Sequence, residues 1–188
     1  MDEIRRVLVP IADGSEEIEA VTIIDVLRRA GAEVTVAAVK HELRITASRG
    51  VKLEADTLID ACIDREWDLI ALPGGMPGAE NLRRSDALAR ILKAQQARGG
   101  MIGAICAAPA VVLQPIGLLH DRRATSHPAF VDRLADARAA DDLVVEDGHV
   151  ITSRGPGTAL LFALHLVERL YGARKREAVA GPLVLPAG

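Results

Sequence analysis

The sequence predicts an α/β fold: a mostly parallel sheet with helices on both faces. Three observations lead there. Short, nearly unbroken apolar runs alternate with longer stretches whose apolar residues recur every three or four positions, which is the signature of strands alternating with helices. Apolar residues make up 49% of the chain, but only four residues are aromatic. The core is therefore built from Val, Leu, Ile and Ala, which suits a sheet covered on both sides. No internal repeat, linker or low-complexity tract interrupts the 188 residues, and this length fits one three-layer domain over 1–188.

Bulk properties exclude several function classes. The formal net charge is −3 and the basic residues are dispersed, so nothing marks a nucleic-acid footprint. No apolar run reaches the roughly 18 residues needed to cross a bilayer, which argues against a membrane partner. The amino terminus begins with charges and passes directly into a strand, which reads as the absence of a signal peptide. Two cysteines far apart in sequence make neither a disulfide scaffold nor a zinc cluster, so the expectation is a reducing, cytoplasmic setting with no metal.

In chain order, Arg5 to Ile11 is the first strand. Ala12-Asp13-Gly14-Ser15 is a turn with Ser15 as the expected N-cap of a helix that runs to about Ala30 and stops at Gly31. Its apolar stripe is Ile23, Val26, Leu27 and Ala30. Extended back by one turn, the stripe reaches Glu19. A carboxyl on the sheet-facing side would have a raised pKa if buried; the alternatives are exposure by fraying or pairing with an arginine. Glu33 to Val39 is the second strand. Leu43, Ile45, Val51 and Leu53 alternate with polar residues around Ser48-Arg49-Gly50 and read as a projecting hairpin. Cys62 lies in a short helical patch, Leu58 to Ile63, and reads as structural.

Asp68 to Leu72 is a buried strand that ends in Pro73-Gly74-Gly75-Met76-Pro77-Gly78, a tight loop with accessible N–H groups and no Walker lysine. Ser85 caps a helix carrying Leu88, Ile91 and Leu92. Met101 to Ile105 is the next strand, and Ala107 to Ile116 reads as a helix with Pro109 in its first turn. Cys106 then sits at a sharp strand-to-helix elbow, at the carboxyl edge where α/β proteins place ligands. The helix N-terminus favours a thiolate there, and the Ala107 N–H is available to an oxyanion. A buried structural cysteine is the competing reading.

Arg123 to Ser126 is expected as a short strand leading to His127-Pro128, where His127 is either a proton shuttle near Cys106 or a hydrogen-bonded loop residue. Leu143–Glu146 and His149–Thr152 form a hairpin around Asp147-Gly148. A second glycine-rich turn, Ser153 to Thr158, enters a helix that Gly172 ends. The apolar tail Pro182–Leu185 is expected to pack on the body.

Taken together, Gly14-Ser15-Glu16-Glu17-Ile18-Glu19-Ala20-Val21, Ser48-Arg49-Gly50-Val51, Leu72-Pro73-Gly74-Gly75, Ala104-Ile105-Cys106-Ala107-Ala108-Pro109, Thr125-Ser126-His127-Pro128 and Thr152 to Thr158 resemble, in order and over nearly the whole chain, the ThiJ/PfpI superfamily. Within it they are most similar to the branch of the parkinsonism-associated protein deglycase and bacterial YajL. The resemblance implies a flavodoxin-like three-layer sandwich that forms a homodimer. It implies Cys106 as nucleophile, Glu19 as the carboxylic acid bonded to it, and the N–H groups of Gly75 and Ala107 as oxyanion site. It also implies His127 nearby, Arg49 at the dimer interface, and Arg154 and Pro156 in the pocket wall. The protease-like branch carries a histidine directly after its cysteine; Ala107 stands there, which argues against a peptidase.

The function expected from this pattern is a cofactor-independent, cysteine-dependent glyoxalase or deglycase, a hydrolase or lyase. It would convert methylglyoxal-type 2-oxoaldehydes, or their early protein or nucleotide adducts, to 2-hydroxy acids. The alternative is an oxidative-stress protein, a redox sensor or chaperone, acting through oxidation of Cys106. A further option is another chemistry on the same elbow, such as isonitrile hydration, since a fold does not fix a function.

Overall fold

The computed structural model describes residues 4–185. The extreme termini, including the charges at 2 and 3 on which the no-leader reading partly rests, lie outside the described residues. Strands β1 (Arg6–Ile11), β2 (Glu33–Ala38), β5 (Thr57–Leu58), β6 (Leu69–Leu72), β7 (Met101–Ile105), β8 (Val144–Asp147) and β9 (Val150–Ser153) form one sheet in the order β5-β2-β1-β6-β7-β9-β8. Every pairing is parallel except β8 with β9, the hairpin at the edge. Strands β3 (Arg44–Thr46) and β4 (Lys52–Glu54) make a separate antiparallel hairpin. The fold is thus the mostly parallel α/β sandwich that the apolar runs predict, in the flavodoxin-like form that the resemblance implies.

Helix α1 (Glu17–Arg29) and helix α4 (Ala159–Tyr171) pack on each other over one face of the sheet, with α5 (Ala173–Ala180) against α4. Helices α2 (Gly78–Arg83) and α3 (Asp86–Ala97) pack together and reach β1 and β7. The central strands are buried on both faces, which is why they read as continuous apolar runs rather than as alternation. Chain direction positions the site. The chain leaves β1 through α1 to β2 on one side, then crosses to β6 on the other. The loops after β1 and β6 therefore part at a switch point, with the loop after β7 beside them.

Several local expectations are corrected. Ser15 does not cap α1: its Oγ accepts from the Ala12 N–H at 3.0 Å and closes its own turn, so Glu16 takes the cap position and accepts from Ile18 N–H. The Arg123–Ser126 segment is extended but joins no ladder. Its N–H groups go to side chains instead, Arg123 to Asp147 and Thr125 to Thr152. The segment after Cys106 winds as a π-helix over Pro109–Leu113, with the Gln114 N–H reaching the Pro109 carbonyl. The apolar tail packs only in part: Leu183 touches the core, but Val184 is 85% exposed. Ser85 does cap α3, accepting from Leu88 N–H at 3.2 Å.

Phe162 on α4 is fully buried and meets the sheet where Gly103 has no side chain; a Cβ at Gly103 would lie 3.1 Å from the Phe162 ring. Phe162→Ala therefore leaves a cavity between sheet and helix. We expect a loss of about 3–5 kcal/mol of stability, measured by denaturant unfolding. A loss under about 1 kcal/mol would mean that the helix collapses onto the sheet.

Candidate active site

Cys106 directly follows β7 and adopts a left-handed backbone, φ 64°. A non-glycine residue there costs on the order of 1–3 kcal/mol. Three hydrogen bonds over-determine it. The Cys106 N–H donates to the Ser153 carbonyl at 2.9 Å, extending the β7–β9 ladder by one residue. Its carbonyl accepts from the His127 N–H at 2.8 Å and the Ser126 hydroxyl at 2.6 Å. This is the strand-to-helix elbow, with its side chain forced out over the sheet edge.

The loop after β6 comes up against it. A Cβ on Gly74 would stand 2.6 Å from Cys106 Cβ, so only glycine permits this approach. Gly75 has φ 86°, and a Cβ there would meet the Glu16 nitrogen at 2.4 Å. The loop after β1 is tied in by the Glu16 N–H on the Gly74 carbonyl, 3.0 Å. As a result the N–H groups of Gly75 and Ala107 both hydrogen-bond the Cys106 sulfur.

Glu19, in the first turn of α1, is fully buried beside the sulfur. Its Oε2 accepts from the Gly74 N–H at 2.7 Å, its carboxyl faces the Cys106 thiol closely enough for each to shift the other's ionisation, and Oε1 has no hydrogen-bond partner among the described residues. Burial pushes the Glu19 carboxyl up to about 7, against the pull of the Gly74 and Cys106 bonds. Burial, then the Glu19 carboxylate, push the Cys106 thiol up to about 12, against the two N–H groups on the sulfur. This corrects the expectation of a thiolate favoured by a helix N-terminus. The segment that follows offers only the Ala107 N–H to the sulfur, the other coming from Gly75 in the loop after β6, while the neighbouring carboxylate repels a second negative charge. The thiolate is released only when Glu19 holds its proton.

A cleft of about 360 Å³ opens over the sulfur, lined by Glu16, Ser48, Arg49, Gly75, Met76, Cys106, Ala107, His127, Phe130 and Pro156. His127 stands in its wall with Nδ1 accepting from the Ala129 N–H at 3.1 Å, so the neutral ring carries its proton on Nε2. Arg49 reaches the cleft because its N–H is fixed to Glu17 Oε1 at 2.7 Å. Arg154, expected in the pocket wall, does not line the cleft: its guanidinium turns to Asp141 at 3.8 Å. Glu16, Ser48, Met76 and Phe130 are lining residues that the sequence reading did not select. Glu16 and Ser48 are linked by a 2.8 Å hydrogen bond, and Ser48 also reaches Glu17 at 2.7 Å. Cys62 is buried far along the chain in its 3₁₀ turn, and burial raises its thiol. Among the described residues no group of three or more His, Cys, Asp or Glu side chains is arranged to hold a metal ion.

Comparison with known proteins gives consistent likenesses. A model described as the DJ-1/PfpI family matches residues 5–169. Protein DJ-1 homolog B of Arabidopsis thaliana is 52% identical over 90% of this chain, but the chain spans only 39% of that protein, and 47% of the related homolog A. The Caenorhabditis elegans protein named glutathione-independent glyoxalase DJR-1.2 is 38% identical over 95% of each chain. Among solved structures, oxidized Toxoplasma gondii DJ-1 superposes with a TM-score of 0.95 at 48% identity, covering 97% of this chain and all of that one.

The raised Glu19 carboxyl has a measurable consequence. The folded protein keeps a proton that the unfolded chain releases near its ordinary value of 4.5. Stability is therefore lost as pH rises from about 4.5 through about 7, by up to about 3 kcal/mol. Glu19→Gln has no such titration. Its stability relative to the natural sequence should climb by that amount between pH 4 and pH 8 in urea unfolding. A flat difference would show that Glu19 ionises normally.

Proposed function

The chain belongs to the DJ-1/PfpI family, and from that premise we propose that it converts methylglyoxal-type 2-oxoaldehydes to 2-hydroxy acids without a cofactor. The same chemistry extends to early adducts of these aldehydes on proteins or nucleotides. One observation carries the reading: the Cys106 sulfur faces an open cleft with the Gly75 and Ala107 N–H groups turned on it and the Glu19 carboxyl beside it. The glyoxalase name of the Caenorhabditis relative supports the substrate class.

Glu19 begins protonated and hydrogen-bonds the sulfur as a thiolate, the arrangement in which charge repulsion between the two is absent. The sulfur attacks the aldehyde carbon, the C–S bond forms, and the aldehyde oxygen becomes an oxyanion. The Gly75 and Ala107 N–H groups are its donors. A base, Glu19 after giving up its proton or His127 in the tautomer that moves its proton to Nδ1 and frees Nε2, takes the C1 proton and returns it to C2 through an enediol. The product is a 2-hydroxyacyl thioester on Cys106. Water adds to it, the C–S bond breaks, and the 2-hydroxy acid leaves with the thiol restored. On the free aldehyde the net change is addition of water, a lyase-type outcome. On an adduct the amine is released as well, a hydrolase-type outcome. Arg49 and Pro156 are proposed as cleft-wall groups that orient the substrate.

The homodimer is proposed on the surface chemistry. Ile18 and Val21 on α1, Val51 on the β3–β4 hairpin, and Leu160 and Leu161 on α4 are 39–56% exposed. These elements adjoin one another, since Ser48 ties the hairpin to α1 and α4 packs on α1. A contiguous apolar patch of this kind marks an interface, and Arg49 borders it.

With methylglyoxal and no glutathione, the natural sequence should release lactate, Cys106→Ser should release none above background, and Glu19→Ala should be slower by at least about a hundredfold. Lactate from Cys106→Ser would remove the nucleophile from the mechanism. No lactate from any form would leave the redox-sensing reading in its place. In a separate test, sedimentation should find a dimer that Ile18→Asp with Val51→Asp converts to a folded monomer. A natural-sequence monomer at micromolar concentration would refute the interface.

A further inference from the structure

Much of the polar wall over Cys106 is spent on itself. Glu16 accepts from the Ile18 N–H at 3.2 Å and from the Ser48 hydroxyl at 2.8 Å. The Ser48 oxygen also lies 2.7 Å from Glu17, and a hydroxyl has one proton to give, so it has none left for a ligand. Arg49 is exposed, which leaves its charge solvated at the rim. The remaining side chains of the wall include two large apolar ones, Met76 and Phe130.

Both are placed by groups that the proposed reaction uses. Met76 directly follows Gly75, whose N–H bonds the Cys106 sulfur, and it is 41% exposed. Phe130 is tied to His127. Its N–H donates to the His127 carbonyl at 2.8 Å, and the two rings lie 6.1 Å apart at a tilt of 58°. The Arg133 guanidinium stands 5.1 Å from the centre of the Phe130 ring, which holds the ring from a second direction. The chain has only two phenylalanines; Phe162 is sealed in the core, whereas Phe130 is half-buried at the cleft. One exposed apolar side chain is ordinary. Two in the wall of one cleft, each joined to a residue at the reacting centre, make a subsite. The cleft of about 360 Å³ lies within the range that encloses drug-sized ligands, more than a three-carbon aldehyde fills.

We propose that Met76 and Phe130 receive the substituent on C2 and select 2-oxoaldehydes that carry an aromatic group there over methylglyoxal. The inference rests on the reading that Cys106 attacks the aldehyde carbon. With C1 on the sulfur and its oxygen on the Gly75 and Ala107 N–H groups, the C2 substituent runs along the cleft wall. An aromatic substituent gains a sulfur–ring contact with Met76 and a ring–ring contact with Phe130, and a methyl group is too short to make either. The chemistry is unchanged: the C1 proton moves to C2, water is added, and a 2-aryl-2-hydroxy acid leaves.

Initial rates, taken before arginine side chains react with either aldehyde, are measured as mandelate from phenylglyoxal and as lactate from methylglyoxal. For the natural sequence, kcat/KM should be about tenfold higher for phenylglyoxal. Phe130→Ala should lower that ratio about tenfold, and Phe130→Leu, which keeps apolar volume without a ring, should lower it less. If Phe130→Ala does not fold, Met76→Ser, at an exposed loop position, carries the test through the same ratio. A natural ratio below one overturns the subsite, as does a ratio that neither Phe130→Ala nor Met76→Ser lowers. If neither aldehyde yields acid, the reading of the reaction fails, and the subsite is tested by alkylation of Cys106 instead. Phenacyl chloride and chloroacetone present the same phenyl and methyl groups, and each rate is divided by its rate with glutathione. A preference for phenacyl chloride that Phe130→Ala or Met76→Ser removes supports the subsite. Equal normalised rates, or a preference that survives both substitutions, overturn it.

Discussion

The contact between the Glu19 carboxyl and the Cys106 sulfur is the interaction on which the rest of the site depends. Neither group is stable there by itself. A buried carboxylate lacks solvation, and a buried thiolate beside it adds repulsion. The backbone answers with N–H groups, one from Gly74 to the carboxyl and two, from Gly75 and Ala107, to the sulfur. Each of those N–H groups is in place only because the loop after β6 runs against the elbow, and that approach requires residue 74 to have no side chain. The left-handed backbone at Cys106 is a second consequence. In that conformation the sulfur meets the carboxyl, and Ser153, Ser126 and His127 hold it through hydrogen bonds from other elements.

Much of this was legible in the sequence, and the reasons are specific. The buried strands read clearly because parallel strands covered on both faces admit almost nothing but apolar residues, as in Val7–Ile11 and Leu69–Leu72. Glu19 was legible because a helix has a fixed period: counting back from Ile23 and Leu27 places it on the inner face, and it is fully buried there. What failed were features settled by competition between partners. Ser15 has the chemistry of a cap, but the Ala12 N–H takes its hydroxyl. The segment before His127 has the composition of a strand, but side chains of β8 and β9 take its N–H groups. Arg154 sits in a matching motif, yet it turns to Asp141, whose position no local pattern encodes. Met76 and Phe130 reach the cleft only through the path of their loops, which sequence spacing does not fix.

The topology gives the two edges of the sheet different chemistry. At the carboxyl edge, the switch point between β1 and β6 opens loops that present backbone N–H groups and a single sulfur. At the amino edge, the turns that enter β6, β7 and β9 carry side chains instead: an indole, an imidazole and guanidinium groups. Backbone donors placed by glycines are rigid and suit a charge that develops during a reaction.

The resting proton inventory explains how a thiol held so high can still react. Carboxylate with thiol and carboxylic acid with thiolate contain the same number of protons, so pH governs how many protons the pair holds, not which partner holds the last one. That choice rests on the hydrogen bonds: the Gly74 N–H favours the carboxylate, and the Gly75 and Ala107 N–H groups favour the thiolate. Two donors on sulfur against one on carboxyl narrow the gap that burial and repulsion set. An electrophilic carbon arriving in the cleft then draws off the thiolate as it forms. The new oxyanion takes over the N–H groups that the sulfur gives up, and Glu19 no longer faces a neighbouring negative charge as it moves its proton. In this site the reactive form need not be the abundant one, because the donors that stabilise it are the same donors that stabilise what it becomes.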